Sequence, residues 1–271
     1  MREGRENRMI PNILTIAGSD CSGGAGLQAD IKSISANGGY AMSVVTALTA
    51  QNTHGVMTVS QCDTDLVTAQ IAAIRADIRI DAIKIGMLGS AEIIGCVERG
   101  IAGLDCPVVL DPVMVAKGGN RLLQVAALRA LRDLLPRACL ITPNLPEAAE
   151  LLDGPEATTP REMRAQAGAL LQLGPRAVLL KGGHLPGEQS PDLLLTHDSE
   201  TWFDAPRFAT RNTHGTGCTL SSALATRLGS GVPLTEAARA AKAYVKAAIA
   251  TADRLCVGTG HGPVNHFHGF Q

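Results

Sequence analysis

The chain has 271 residues, of which 45% are hydrophobic, so it can bury a substantial core as one large domain or two small ones. Its 24 Lys and Arg nearly cancel 25 Asp and Glu, and aromatics make up only 3%; bulk attraction to nucleic acid or an anionic membrane, and a base-stacking platform, are excluded. No apolar run reaches the roughly 18 residues of a membrane span, and seven scattered cysteines without a CxxC pair read as reduced cytosolic thiols.

The opening MREGRENRMIPN is polar and lacks the apolar heart of a secretory signal. It reads as a disordered lead-in over residues 1–9, followed by one domain over residues 10–271. Short strands are predicted over 13–17, 82–85, 108–110, 140–142 and 177–180, with a further apolar run over 42–50. Helical patterns fall between them, over 25–36, 63–76, 91–102, 122–134, 147–152 and 161–173. Strands apolar throughout, alternating with helices through short links, predict parallel βαβ units and a sheet covered on both faces. The fold class is therefore α/β, a three-layer α/β/α sandwich with a mostly parallel central sheet. Beyond Pro191 the pattern changes to a β-ribbon over 193–196 and 201–203, then helices over 216–228 and 234–255. In open sheets of this kind ligands bind beyond the carboxyl ends of the strands, so the residues just after each strand carry the functional reading.

After the first strand comes GSDCSGGAGLQAD, residues 18–30. Within it Gly24 to Ala29 matches the dinucleotide fingerprint G-x-G-x-x-G/A. That motif also wants an acid about 20 residues on, and none occurs between Ile31 and Cys62. The loop is not a P-loop either, for want of a following Lys-Ser/Thr pair. What remains is a small-residue loop with two acids, Asp20 and Asp30. Asp30 reads either as a ligand group or as a first-turn acid stabilised by the helix dipole.

The stretch NTHGTGCTLSSALA, residues 212–225, puts glycines before a helix. The unpaired N–H groups of Gly215, Thr216, Gly217 and Cys218, with the helix dipole, suit an anion such as phosphate. The same field favours a thiolate at Cys218, which is then a base or a nucleophile; a small residue at a helix start is the other reading. Three strand ends add polar groups: Asp111 in VVLDPVM, Asn144 and Glu147 in ITPNLPEAAELL, and Lys181 in VLLKGGH. Asn144 and Glu147 share a helix face and match a capping box as well as a Mg²⁺ site, since Mg²⁺ takes only one or two protein carboxylates beside phosphates. Asp111 before Pro112 also suits a turn. Lys181 suits phosphate as a point charge or a solvated strand end, and Lys242 is a further candidate. The tail GHGPVNHFH, residues 260–268, reads as chain-end packing with surface histidines.

Taken in order, GSDCSGGAGLQADIKSISANGGY, TALTAQNTHGV, IKIGMLGS, VVLDPVMVAKGG, LITPNLPEAAELL, VLLKGGH, RNTHGTGCTLSSALA and GPVNHFH resemble the hydroxymethylpyrimidine/phosphomethylpyrimidine kinases of thiamine biosynthesis, members of the ribokinase-like superfamily. The resemblance spans about Ile10 to Phe267. It implies a ribokinase-like, usually homodimeric, cytoplasmic enzyme that uses ATP and Mg²⁺. It implies phosphorylation of the pyrimidine's 5-hydroxymethyl group and then of the monophosphate. On this sequence it implies that Asp30 and Gln51 bind the pyrimidine's polar edge and that Met87 and Val113 line its ring. Residues 215–218 would form the anion hole, with Cys218 where many ribokinase-like sugar kinases carry an aspartate base and the pyrimidine kinases typically carry a cysteine. Lys181, Thr213 and Lys242 would face the nucleotide, and Asp111, Asn144 and Glu147 would lie near Mg²⁺ and the phosphates. Position 51 varies between Gln and Glu in the family, so selectivity against pyridoxal stays open. A pyridoxal kinase of the same superfamily and a non-catalytic pyrimidine-binding protein are the competing readings.

Overall fold

The computed structural model describes residues 9–116 and 118–271. The lead-in expected over residues 1–9 lies, all but Met9, outside the described residues. Among them nine strands form one sheet, in the order β3-β2-β1-β4-β5-β6-β7-β8-β9. The strands are β1 (Asn12–Asp20), β2 (Tyr40–Asn52), β3 (Gly55–Gln61), β4 (Ala82–Ile85), β5 (Val108–Leu110), β6 (Leu140–Ile141), β7 (Ala177–Lys181), β8 (Asp192–Thr196) and β9 (Glu200–Phe203). From β2 through β7 neighbours are parallel; β3 at one edge and β8–β9 at the other are antiparallel. This is the predicted three-layer sandwich.

Period-two alternation divides each central strand between two cores. Leu14, Ile83, Leu110, Val178 and Leu180 pack against the helices α2 (Thr64–Asp77), α3 (Ala91–Ile101), α4 (Leu128–Leu134), α5 (Leu145–Leu152) and α6 (Pro160–Leu171). Ile13, Ala82, Val109 and Leu179 pack against α1 (Gly26–Ala36), α7 (Thr216–Gly229) and α8 (Leu234–Ala250). Both faces being covered, the strands read as continuous apolar runs. The chain runs outward from β1 to β2 and returns to place β4 on the other side of β1. That reversal opens a crevice at the carboxyl ends of β1 and β4, the place where doubly wound sheets bind ligands.

Three expectations on elements are corrected. The edge strand β3 was not predicted; most of it is exposed and it lacks an apolar alternation. The helix expected over 122–134 is a 3₁₀ turn, Val125–Ala127, leading into α4; Leu122 and Leu123 instead donate their N–H groups to Met114 O at 2.8 and 3.1 Å. The last helix ends at Ala250 rather than 255, after which Thr251 Oγ1 donates back to Ala247 O at 2.9 Å. No helix among the described residues is long and apolar enough to cross a membrane.

Candidate active site

A cavity of about 650 Å³ opens along the carboxyl edge of the sheet. The glycine loop after β1, Thr49 and Gln51 of β2, Met87 after β4 and Val113 after β5 line one part. Asp111, Asn144, Glu147, Lys181, Thr213 and residues 215–218 line the rest. The strand ends and the start of α7 thus bring residues from seven separate motifs to one space.

The wall made by the helix start is shaped by close backbone approach. Gly215 caps α7 with φ of 76°, a left-handed angle open to glycine. A Cβ there would stand 1.8 Å from Gly24 O, so the two glycine loops touch through their backbones. The first N–H groups of α7 have no partner inside the helix and face the cavity end. Beneath Gly217 lie Lys181 Nζ and Asp111 Oδ2, which a Cβ on that glycine would meet at 3.2 and 3.3 Å.

The charged groups form a chain. Asp111 Oδ1 accepts from Thr142 Oγ1 and from Lys181 Nζ, each at 2.9 Å. Lys181 Nζ is 3.9 Å from Glu147 Oε2. Burial opposes the Lys181 charge, but Asp111 and Glu147 together hold its ammonium above the ordinary range. Glu147 and Asn144 do form the capping box: Glu147 N donates to Asn144 Oδ1, and Asn144 N to Glu147 Oε2, both at 2.8 Å. Burial pushes Glu147 up to about 7, with Lys181 pulling it down and Asp111 pushing it further up. Two carboxylates facing one ammonium leave the site short of positive charge. Among the described residues no group of three or more His, Cys, Asp or Glu is arranged to hold a metal ion.

At the glycine-loop end Asp20 is the organising residue, although the sequence gives it no role. Its Oδ1 accepts from Ser22 N and Oγ at 2.8 and 2.7 Å. Its Oδ2 accepts from Gly24 N at 3.1 Å, Ala25 N at 2.8 Å and His214 Nε2 at 2.8 Å. Burial opposes its charge, but bonds from His214, Ser22 and Gln51 hold the carboxyl well below the usual carboxylate range. The legible signal was an acid in a loop too rich in glycine to satisfy its own N–H groups.

Two expected residues stand elsewhere. Asp30 does not line the cavity: it is wholly buried, held by Lys84 Nζ, Thr15 Oγ1 and Ser222 Oγ. Its carboxylate has no acceptor site turned toward a ligand, because it neutralises a lysine inside the sheet. Lys242 is likewise outside, donating to Asp192 Oδ2 at 2.6 Å and Ser190 O at 2.8 Å. Asp192 in turn accepts from Gly182 N at 3.1 Å, just past Lys181. At Cys218 the helix field, which favours a thiolate, is opposed by burial. Burial pushes the thiol up to about 11; Lys84 lowers it, and Asp30 and Asp111 raise it further. Desolvation outweighs the field of the helix start.

Helix N–H groups aimed at an anion, a lysine among acids and an apolar pocket beside them, on a sheet of this topology, define a kinase with a ribokinase-like fold. The sequence profile described as phosphomethylpyrimidine kinase matches residues 20–265, and the chain belongs to that family. The hydroxymethylpyrimidine/phosphomethylpyrimidine kinase of Salmonella typhimurium is 54% identical over 259 residues, covering 95% of this chain and 97% of that protein. Among solved structures, the ADP complex of Bacillus subtilis pyridoxal kinase superposes with a TM-score of 0.88 at 37% identity, covering 95% of this chain and 98% of that one. The phosphomethylpyrimidine kinase of Clostridium difficile 630 gives 0.78 at 42% identity, covering 88% and 99%. As a kinase of this family the chain takes its phosphoryl group from ATP.

Proposed function

We propose that the chain phosphorylates the 5-hydroxymethyl group of 4-amino-5-hydroxymethyl-2-methylpyrimidine and then the resulting monophosphate, yielding the pyrophosphate used in thiamine assembly. The observation that carries this reading is the continuity of one cavity from Gln51, Met87 and Val113 to the amides of residues 215–218. A small aromatic alcohol seated at the first end presents its hydroxyl to a phosphoryl group held at the second.

The Gln51 side chain neighbours the Asp20 carboxylate and helps to lower its pKa; a carboxylate accepts only, so the amide nitrogen is the end that faces it. Its carbonyl oxygen is left to accept from the exocyclic amino group of the pyrimidine. Met87 and Val113 supply apolar surface for the ring. The amides of Gly215, Thr216, Gly217 and Cys218 stabilise charge on the phosphoryl group in flight, the dominant contribution in a loose transition state. Lys181 follows that charge as a point cation, and Thr213 and Asn144 flank the phosphates. Lys242 acts from behind, through Asp192 on the backbone of Gly182.

Asp111 and Glu147 fit Mg²⁺: both are carboxylates beside a single ammonium, and burial leaves Glu147 short of a counter-charge. Bound there with the triphosphate, Mg²⁺ supplies Lewis-acid neutralisation of phosphate oxygens. Cys218 takes the hydroxyl proton as its thiolate, a minor form at neutral pH given a thiol pushed up to about 11.

Residues 10–271 act as one kinase domain in the cytoplasm, which seven free cysteines support. The β2–β3 hairpin exposes Leu48 and Met57, 57% and 68% accessible, which supports a homodimer through that edge. Pyridoxal is a second substrate for the same cavity, favoured by the 37% identity to the Bacillus subtilis pyridoxal kinase. The test is ADP release with the hydroxymethylpyrimidine, its monophosphate and pyridoxal in parallel. Turnover on both pyrimidines, with pyridoxal slower, is expected. Absence of ADP release with either pyrimidine overturns the reading.

A further inference from the structure

The tail motif expected to be chain-end packing is wired into the anion loop. Gly262 N donates to Asn212 Oδ1 at 3.1 Å, and Gly262 O accepts from His214 N at 2.9 Å. His266, expected at the surface, is 5% exposed. Its Nε2 stands 3.0 Å from Thr219 Oγ1, and that hydroxyl donates to Gly215 O at 2.8 Å. A hydroxyl has one proton. With that proton committed to the carbonyl, His266 Nε2–H must be the donor to Thr219. Burial, helped by Lys32, holds His266 down to about 4, so the ring stays neutral at physiological pH.

Gly215 O also accepts from Thr219 N at 2.9 Å. Two bonds from one residue fix the plane of the peptide joining Gly215 to Thr216. In a trans peptide the N–H points opposite to the C=O. Fixing the carbonyl along α7 therefore fixes the direction of the Thr216 amide at the cavity wall, where its N–H makes only a long bond, 3.4 Å, to Thr213 O. We infer that His266 is a positioning residue for phosphoryl transfer, locking Thr219 and through it the Gly215–Thr216 peptide. This rests on the kinase reading above for what the loop holds.

The test compares His266→Leu, His266→Gln and Thr219→Val with the wild type. Losing one aligning hydrogen bond lowers kcat about tenfold in His266→Leu and Thr219→Val, with KM for ATP and the pyrimidine within about twofold. Affinity for the ADP–aluminium fluoride complex, which mimics the transferring group, falls by the same factor while ADP affinity holds. His266→Gln keeps a donor and restores most of both. The double variant His266→Leu/Thr219→Val is no worse than Thr219→Val, since the two act through one path. Wild-type kcat and fluoride-complex affinity in a folded His266→Leu protein overturn the inference. So does an equal loss of ADP affinity, or an additive double variant. Should His266→Leu not fold, the shape-preserving Thr219→Val decides by the same readouts. A wild-type protein inactive on both pyrimidines counts against the function, while the fluoride-complex comparison still judges the positioning role.

Discussion

Lys84 Nζ sits 2.8 Å from both carboxylate oxygens of Asp30, and neither side chain meets solvent. Lys84 lies between Ile83 and Ile85 on β4, so alternation turns it to the face covered by α1 and α7. Thr15 Oγ1 at 2.6 Å and Ser222 Oγ at 2.8 Å complete the shell of Asp30. The pair joins β1, β4, α1 and α7. Burial works against the lysine's charge, but Asp30 above all holds it up at about 12.

Removing one partner leaves the other charged and buried. Lys84→Met is expected to cost about 3–5 kcal/mol of stability in urea unfolding. Asp30→Asn loses stability in the same direction, with KM for the pyrimidine unchanged because the residue stands outside the cavity. A large rise in KM at wild-type stability would return Asp30 to the substrate's surroundings.

Two glycine substitutions separate fold from specificity. Gly215→Ala forces a left-handed angle on alanine and drives its Cβ into the Gly24 carbonyl. It is expected to destabilise by at least about 1–3 kcal/mol and to abolish transfer, read by thermal unfolding and ADP release. Gly18→Ala clashes only with the Met87 sulfur, at 2.8 Å, and meets Ala47 O at an ordinary 3.7 Å. The flexible methionine yields, so stability holds and the ring pocket narrows. KM for the pyrimidine then rises with little loss of kcat at saturation; an unchanged KM would remove Met87 from the ring's wall.

Glu147 keeps its proton up to about 7, so the metal-binding carboxylate form dominates only above that pH. At limiting Mg²⁺, kcat/KM is expected to climb through pH 7. Added Mg²⁺ competes with the proton and moves this limb lower. In the metal-free protein the raised value favours the protonated form on folding. Stability from this group is therefore full below the ordinary value of about 4.5 and is lost as pH rises from there through about 7. Glu147→Gln keeps the capping box, flattens the acid limb, removes that stability loss and raises the Mg²⁺ requirement about tenfold or more. An unchanged requirement takes Glu147 away from the metal.

The sheet and most helices were legible because burial on both faces writes apolar runs and caps write helix starts, as Asn144 and Glu147 do. The edge strand β3 was not, since it is largely exposed and carries no such signature. Residues after strands were legible as a group, the topology fixing where they converge. What sequence misplaced were contacts between distant segments. Asp30 is 54 positions from the lysine that claims it, and nothing local distinguishes it from a ligand group. Lys84 itself carried a readable signal: a lysine within an apolar strand demands a buried acid. The ionisation of Cys218 was not legible because the helix field is local, whereas desolvation depends on everything packed around the thiol.

Cys218 gives the sharpest test of the chemistry. With the thiol pushed up to about 11, about one part in 10⁴ is thiolate at pH 7. If that fraction is the base, kcat climbs about tenfold per pH unit above neutrality, until another step limits. Cys218→Ala should remove that slope and cut kcat by about 10²–10⁴-fold. ATP affinity should hold, because the backbone amide of residue 218 survives the change. A flat profile in the wild type, or full turnover by the alanine variant, would eliminate the base and leave the anion-hole amides and Lys181 to account for the rate.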